Sequence, residues 1–501
     1  MLASVSSATL TGVDGQPVTV EVHVSSGLPA YQVVGLPDTA VRESRERVRA
    51  AVLSSGMQWP MQRITVNLAP GGVRKSGSGL ELAVALGVLA ASEQLPTGVL
   101  DGVAVLGELG LDGSVRPVPG ALALVDSLTR AGRPSVVVPI ANAAEAELVG
   151  DAHVRAARDL AELRSCLQGE QPWPDWDPPL VDPDAGLDAD DDLADLAEVR
   201  GLSFARRVLE VAAAGGHHLL MWGPPGTGKT MLARRLPTIL APLEPAEALE
   251  VTRIHSAAGL PFRGRLLHSR PVRAPHHTAS TPALVGGGST RLRPGEVTLA
   301  HRGLLFLDEL GEFSPSALDA LRQPLEERVV RISRQGMSLA FPASFQLVAC
   351  TNPCPCGRVP AECCCTEPAK ARYRRRLSAP LVDRFDLRIA VAAPLASDVV
   401  GESSATVRER VVGAVARQRA RYADWRWSYN AHVPAGAVAR LVPLGADAEC
   451  EWHHLMEERM LTGRGAARIL RVARTVADLA DAPDVTVEHL SVAAHMREDL
   501  S

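Results

Sequence analysis

A chain of 501 residues, 46% hydrophobic and 22% charged, is longer than one hydrophobic core normally supports, so two or three domains are expected. The formal net charge of −5 excludes nucleic-acid binding by bulk charge and leaves only local basic patches for that role. Eight cysteines in so long a chain are no secreted disulfide framework.

The opening MLASVSSATLTGVDG has neither a charged nor a sustained apolar region, and the longest apolar stretch, around Leu80 to Ala91, is interrupted by Glu81. A cytoplasmic protein with no membrane partner is expected. From about Val18 to Pro139, strand-like runs (VTVEVHV, ITVNL, VAVLGELG, SVVVP) alternate with helix-period stretches at Val41 to Ser55 and Leu80 to Ala91, which predicts a mixed α/β domain over residues 1–168. Between Glu170 and Glu198 lie eleven acidic residues, five prolines and no Lys or Arg, a composition that cannot bury a core and reads as a linker over 169–195.

A helix is predicted at Phe204 to Ala214, then an apolar run at His217 to Trp222 that ends in Gly223-Pro224-Pro225-Gly226-Thr227-Gly228-Lys229-Thr230 and a new amphipathic helix. This matches the phosphate-loop pattern, in which glycines let backbone N–H groups surround phosphates at a helix N-terminus. Lys229 would contact the β- and γ-phosphates of ATP, and Thr230 would ligate Mg2+. Only Lys75, Lys229 and Lys370 are lysine among 52 basic residues, so lysine at 229 marks chemistry rather than a generic cation. The run Gly303 to Leu307 delivers Asp308, to orient the magnesium shell, and Glu309, to polarise the attacking water. Phe345 to Thr351 ends at Asn352, which would position that water or sense the γ-phosphate; a turn residue is the alternative.

Five cysteines crowd between Cys354 and Cys365, and Cys354, Cys356, Cys363 and Cys365 form two C-x-C pairs suited to a four-thiolate Zn2+ site. Cys364 is extra, the spacing is narrower than the usual C-x2-C, and a redox-sensitive or structural loop is the alternative. Segments Leu284 to Ala300 and Val329 to Phe341 read as β-hairpins, and helical periodicity at Ser403 to Tyr422, Gly463 to Ala480 and Val487 to Met496 predicts a helical lid over 396–501. The nucleotide-binding domain then spans 196–395.

These motifs, with Arg273-Ala-Pro-His-His-Thr-Ala279, Val285-Gly-Gly-Gly288, Arg293-Pro-Gly-Glu296 and Leu381-Val-Asp-Arg-Phe-Asp386, resemble the magnesium-chelatase-like AAA+ family and, within it, the ComM-type branch-migration helicases. The resemblance implies an AAA+ ATPase that works as a hexameric ring encircling DNA and drives branch migration during homologous recombination and natural transformation. It further implies that Arg384 is an arginine finger for the neighbouring subunit and Arg471 the second sensor arginine, with Arg464 and Arg468 as competitors. The two hairpins resemble those that point into the ring channel, which makes Arg291, Arg293, Arg331 and Arg334 candidates for DNA phosphate contacts; solvated surface arginines are the alternative. A similar Cys-rich loop occurs in the family. The N-terminal domain resembles the Lon proteolytic domain, with Gly79 at the serine position and Leu122 at the lysine position. Lys75 with Ser76 or Ser78 could substitute only if neighbours on one loop faced each other, so a non-catalytic domain is expected. The rivals are a chelatase-type motor and an ATP-driven protein remodeller.

Overall fold

A computed structural model describes residues 1–176 except 73, 74, 76 and 78, residues 195–392 except 263, 289–291, 335–336 and 359–361, and residues 401–498 except 426. Most of the acidic stretch, 177–194, thus lies outside the described residues, as does Arg291.

The N-terminal part is built on a seven-stranded sheet in the order Ala30–Val34, Arg63–Ala69, Asp14–Ser25, Leu2–Thr11, Val103–Val105, Ser135–Pro139 and His153–Ala157. The Leu2–Thr11 strand, hidden in the sequence by its Ser and Thr content, pairs antiparallel with Asp14–Ser25 along its whole length. Its polar residues are nevertheless interior: Ser7 is fully buried and its hydroxyl donates to Val105 O at 2.7 Å. Every residue of the Glu81–Ala91 helix is buried. The Glu81 that breaks its apolar run accepts from Arg47 Nε at 2.9 Å and from the Leu109 amide at 3.0 Å, so it is a satisfied core carboxylate.

The second sheet holds five parallel strands in the order Val272–Arg273, Leu304–Leu307, Gln346–Thr351, Leu219–Trp222, Leu387–Ala390. The strand before the phosphate loop is therefore interior, flanked by the strand leading to Asn352 and by the last one. All carboxyl ends open on one edge, which is where a doubly wound sheet binds ligands. The helix Pro245–Ala257, unforeseen from the sequence, ties the two sheets together. Ser256 O accepts from Gly120 N at 3.0 Å, the Ser256 hydroxyl donates to the buried Glu145, and Arg253 reaches Asp126 at 3.4 Å. Leu10 and Val13 share one core with Ile254 and Ala257.

Among the described residues, five α-helices follow: Ser404–Arg421, Ala435–Leu441, Ala446–Glu458, Gly463–Leu479 and Val487–His495. They share a core with the Ser203–Gly215 helix and the central strands. Among the described residues no helix is long and apolar enough to cross a membrane.

The segment expected as one hairpin over Leu284 to Ala300 is shorter than expected. Gly286–Gly287 pairs with Arg293–Pro294, while Thr281–Val285 before it and Glu296–Leu299 after it are helical. The physical reason is capping: Ser280 accepts from the Ala283 amide and Pro282 occupies the first turn, which starts a helix where alternation suggested strand. The second hairpin, Val329–Arg334 with Met337–Pro342, pairs in full register.

Candidate functional site

The phosphate loop turns tightly. A Cβ on Gly223 would stand 2.2 Å from Val391 O, and Gly226 and Gly228 have φ of 77° and 91°, so the loop depends on these glycines. It ends in the helix Lys229–Ile239, whose first amides face the loop. Lys229 is buried, and its Nζ donates to Gly223 O and Pro224 O at 2.7 Å each and lies 3.4 Å from Asn352 Oδ1. Burial lowers its pKa. The ammonium thus rests on loop carbonyls at the position from which it can turn to a phosphate.

Thr230 Oγ1 donates to Asp308 Oδ2 at 2.9 Å, so the two expected magnesium ligands already meet, and this oxygen pair fits a hard divalent cation. Glu309 follows in left-handed backbone, φ 50°, with its carboxylate about half exposed and 3.2 Å from His277 Nδ1. His277 is wedged between His276, ring centroids 4.0 Å apart, and Phe313 at 6.5 Å. His276 and His277 belong to the Arg273-to-Ala279 string, where their spacing alone assigns neither a role. The signal that could have found them is their position just past Arg273, the end of a two-residue strand beside the one that carries Asp308.

Arg384 and Arg471 do not join this group. Both line a cavity of about 380 Å3 with His218, Arg464, Arg468 and Asp386. His218 and Asp386 precede the strands Leu219–Trp222 and Leu387–Ala390, so the cavity sits at the amino ends of the sheet, a strand length of roughly 13 Å from the phosphate loop. Arg384 pairs with Glu326, and Arg468 is held by Asp383 at 2.9 Å and Asp386 at 3.6 Å. Among the described residues, Nε of Arg384 and Nε of Arg471 are buried without a hydrogen-bond partner. Burial lowers the Arg471 pKa, and burial followed by repulsion from Arg471 and Arg302 brings nearby Arg328 down to about 10. A buried excess of guanidinium with unused donors is a place for an anion.

Arg331 is exposed and pairs with Glu327, and Arg293 is exposed on the shorter hairpin; the Arg334 side chain and Arg291 are outside the described residues. The base of the longer hairpin touches the N-terminal part: a Cβ on Gly12 would lie 3.2 Å from Phe341 Cε1.

The four thiols of Cys354, Cys356, Cys363 and Cys365 all lie within 4.8 Å of one another, with Sγ···Sγ separations of 3.1 Å (354 to 356), 3.5 Å (354 to 363) and 3.7 Å (356 to 363). Four sulfurs about 2.3 Å from one zinc stand about 3.8 Å apart, so the set fits that ion. Cys364 is exposed and outside the group. In the N-terminal part, Lys75 is fully buried with its Nζ donating to Pro70 O, and burial lowers its pKa. Ser76 and Ser78 are outside the described residues, Gly79 faces Val118, and Leu122 is core.

A phosphate loop after an interior strand, acidic residues at the end of the strand two places away and a helical lid together define a P-loop ATPase of the AAA+ type. Comparison with known proteins agrees. The magnesium chelatase subunit ChlI family matches residues 195–399, a ChlI subunit family 20–142, and the ChlI C-terminal family 401–497. An uncharacterized protein of Mycobacterium tuberculosis is 45% identical over 98% of both chains. The uncharacterized protein YifB of Salmonella typhimurium is 41% identical over 99% of this chain and 97% of its own, and the competence protein ComM of Haemophilus influenzae is 39% identical over the same shares. The chain belongs to the magnesium-chelatase-like AAA+ family, of the ComM and YifB type, a family that implies ATPase activity with ATP and Mg2+.

Proposed function

We propose that the protein is an ATP-driven DNA motor that assembles as a ring, expected to be hexameric, and drives branch migration during recombination of incoming DNA in the cytoplasm. The observation that carries this reading is the separation of the catalytic groups: phosphate-loop residues at one end of the sheet, anion-seeking Arg384 and Arg471 at the other. Within one subunit the two stand at opposite ends of the sheet, whereas a ring of identical subunits, each offering its amino-end cavity to the next one's carboxyl-end site, brings them together.

In this reading Lys229 holds the β- and γ-phosphates, Thr230 and Asp308 hold Mg2+, Glu309 polarises the water and Asn352 orients it. Arg384 and Arg471 stabilise the charge that develops on the neighbouring subunit's γ-phosphate. Residues 196–395 form the motor and 396–501 its lid. The N-terminal domain, 1–168, serves assembly or DNA engagement without proteolysis, joined by the linker 169–195. A zinc ion on the four thiols completes the cofactor set.

DNA is supported as the track by the two arginine-bearing hairpins and by the name of the Haemophilus influenzae relative, a competence protein. Phosphate contacts of this kind are independent of sequence and weaken steeply with salt. Replacing Arg331 and Arg334 together, or Arg291 and Arg293 together, is therefore expected to lower DNA affinity and reduce the salt slope by about one unit per lost contact. Nucleotide binding should persist. Salt titrations of both double variants on fluorescent duplex and single-stranded DNA test this; wild-type affinity and slope in both would reject the channel assignment and favour a protein remodeller.

A further inference from the structure

The cysteine loop begins at the nucleotide site: only Pro353 separates Asn352 from Cys354. Gly357, with φ 69°, lies against the phosphate loop, such that a Cβ there would stand 2.9 Å from Pro225 Cγ and 3.8 Å from Asn352 Nδ2. Beyond the cluster, the Glu367–Arg376 helix returns to the same strand ends: the Tyr373 hydroxyl is 3.2 Å from Thr351 Oγ1, and Arg376 donates to Gly311 O at 2.9 Å. Between Asn352 and Thr366 the only aliphatic side chains are those of Val359 and Ala361, apart from proline, so the loop has almost nothing to bury. What brings it together is the group of four thiols, and a buried Cys354 without a metal or disulfide would contribute only weak hydrogen bonds.

We infer that Cys354, Cys356, Cys363 and Cys365 hold one zinc ion, and that the metal-closed loop, through Gly357 against Pro225 and Asn352, keeps the phosphate loop in its nucleotide-binding form. The zinc site is then a structural clamp on the ATP site rather than a remote staple. This inference rests on the phosphate-loop reading above. Because two ligands that favour one conformation favour each other reciprocally, zinc tightens nucleotide binding and nucleotide tightens zinc binding by the same factor.

The full-length chain, purified without chelator, is expected to carry about one zinc per chain by elemental analysis. Stripping it with a chelator should weaken the binding of a fluorescent ADP analogue by about 5- to 150-fold, the usual range of such coupling, and Zn2+ alone should restore it. Bound ADP should raise the chelator concentration needed to remove half the metal by a matching factor. Cys364→Ser should keep both zinc and affinity. Cys354→Ser should lose the metal; because that variant can also misfold, Gly357→Ala provides the independent arm, retaining all four thiols and zinc while its added methyl pushes on Pro225 and weakens ADP binding. Metal content well below one per chain overturns the site. Equal ADP affinity in loaded and stripped protein overturns the clamp. If Lys229→Ala also binds ADP like wild type, the phosphate-loop reading has failed; if Lys229→Ala loses ADP while stripping changes nothing, the clamp alone has.

Discussion

Arg384→Ala is expected to reduce ATP turnover by about 10³- to 10⁵-fold, the range by which an arginine finger accelerates phosphoryl transfer, with nucleotide affinity changed far less. The side chain is held by Glu326 at the amino end of the sheet, so within its own subunit it cannot reach the phosphate loop. Its Nε is free to donate, and a neighbour's γ-phosphate would replace the Glu326 contact as charge develops in the transition state. Mixing Arg384→Ala with Lys229→Ala subunits is then expected to recover turnover at junctions where an intact loop meets an intact arginine. A titration of mixing ratios at constant total protein measures it. No recovery at any ratio, with assembly intact by light scattering, would refute a role across the interface.

The second large effect separates binding from chemistry. Lys229 has two phosphate contacts to offer, each a charge-assisted bond of about 1.5–3 kcal/mol, so Lys229→Ala should weaken ATP binding by a factor of at least about 100. Glu309→Gln removes only the carboxylate that polarises water. It should bind ATP like wild type and hydrolyse it about 10²- to 10⁴-fold more slowly. Equilibrium binding and single-turnover hydrolysis on the two variants test the assignment, and wild-type affinity in Lys229→Ala would defeat it. His277 refines the picture, because its Nδ1 lies 3.2 Å from one oxygen of the Glu309 carboxylate and leaves the other to serve water.

Much of the nucleotide site was legible because its signals are local. Gly223 to Thr230 is one continuous string, and Asp308 with Glu309 next to it, and Asn352, follow apolar runs that read as interior strands. The cysteine set was legible for the same reason, and the exposed Cys364 sorted itself out only in three dimensions. What remained hidden depends on long-range pairing. The Leu2–Thr11 strand carries Ser7 and Thr9 at interior positions, with Ser7 satisfied by Val105 far along the chain, so its polar content masked its burial. His277 follows a strand of two residues, too short for any periodicity, and its partner Glu309 lies beyond the end of another strand. The end of the sheet at which Arg384 and Arg471 lie is a property of strand direction, which residue spacing does not encode. The helix Pro245–Ala257, buried on faces that belong to two different parts of the chain, lacks the one-sided apolar stripe that marks a surface helix.

The most direct test of the central claim is branch migration itself. A labelled three-strand or four-way DNA junction with long homologous arms is incubated with the purified full-length chain, ATP and Mg2+, and the strand-exchange products are resolved on a gel with time. The expected result is migration that requires hydrolysable ATP, is independent of DNA sequence and is absent with Glu309→Gln, accompanied by ATP turnover that rises when DNA is added. Vigorous ATP hydrolysis that ignores DNA and leaves the junction unmoved would contradict a DNA motor.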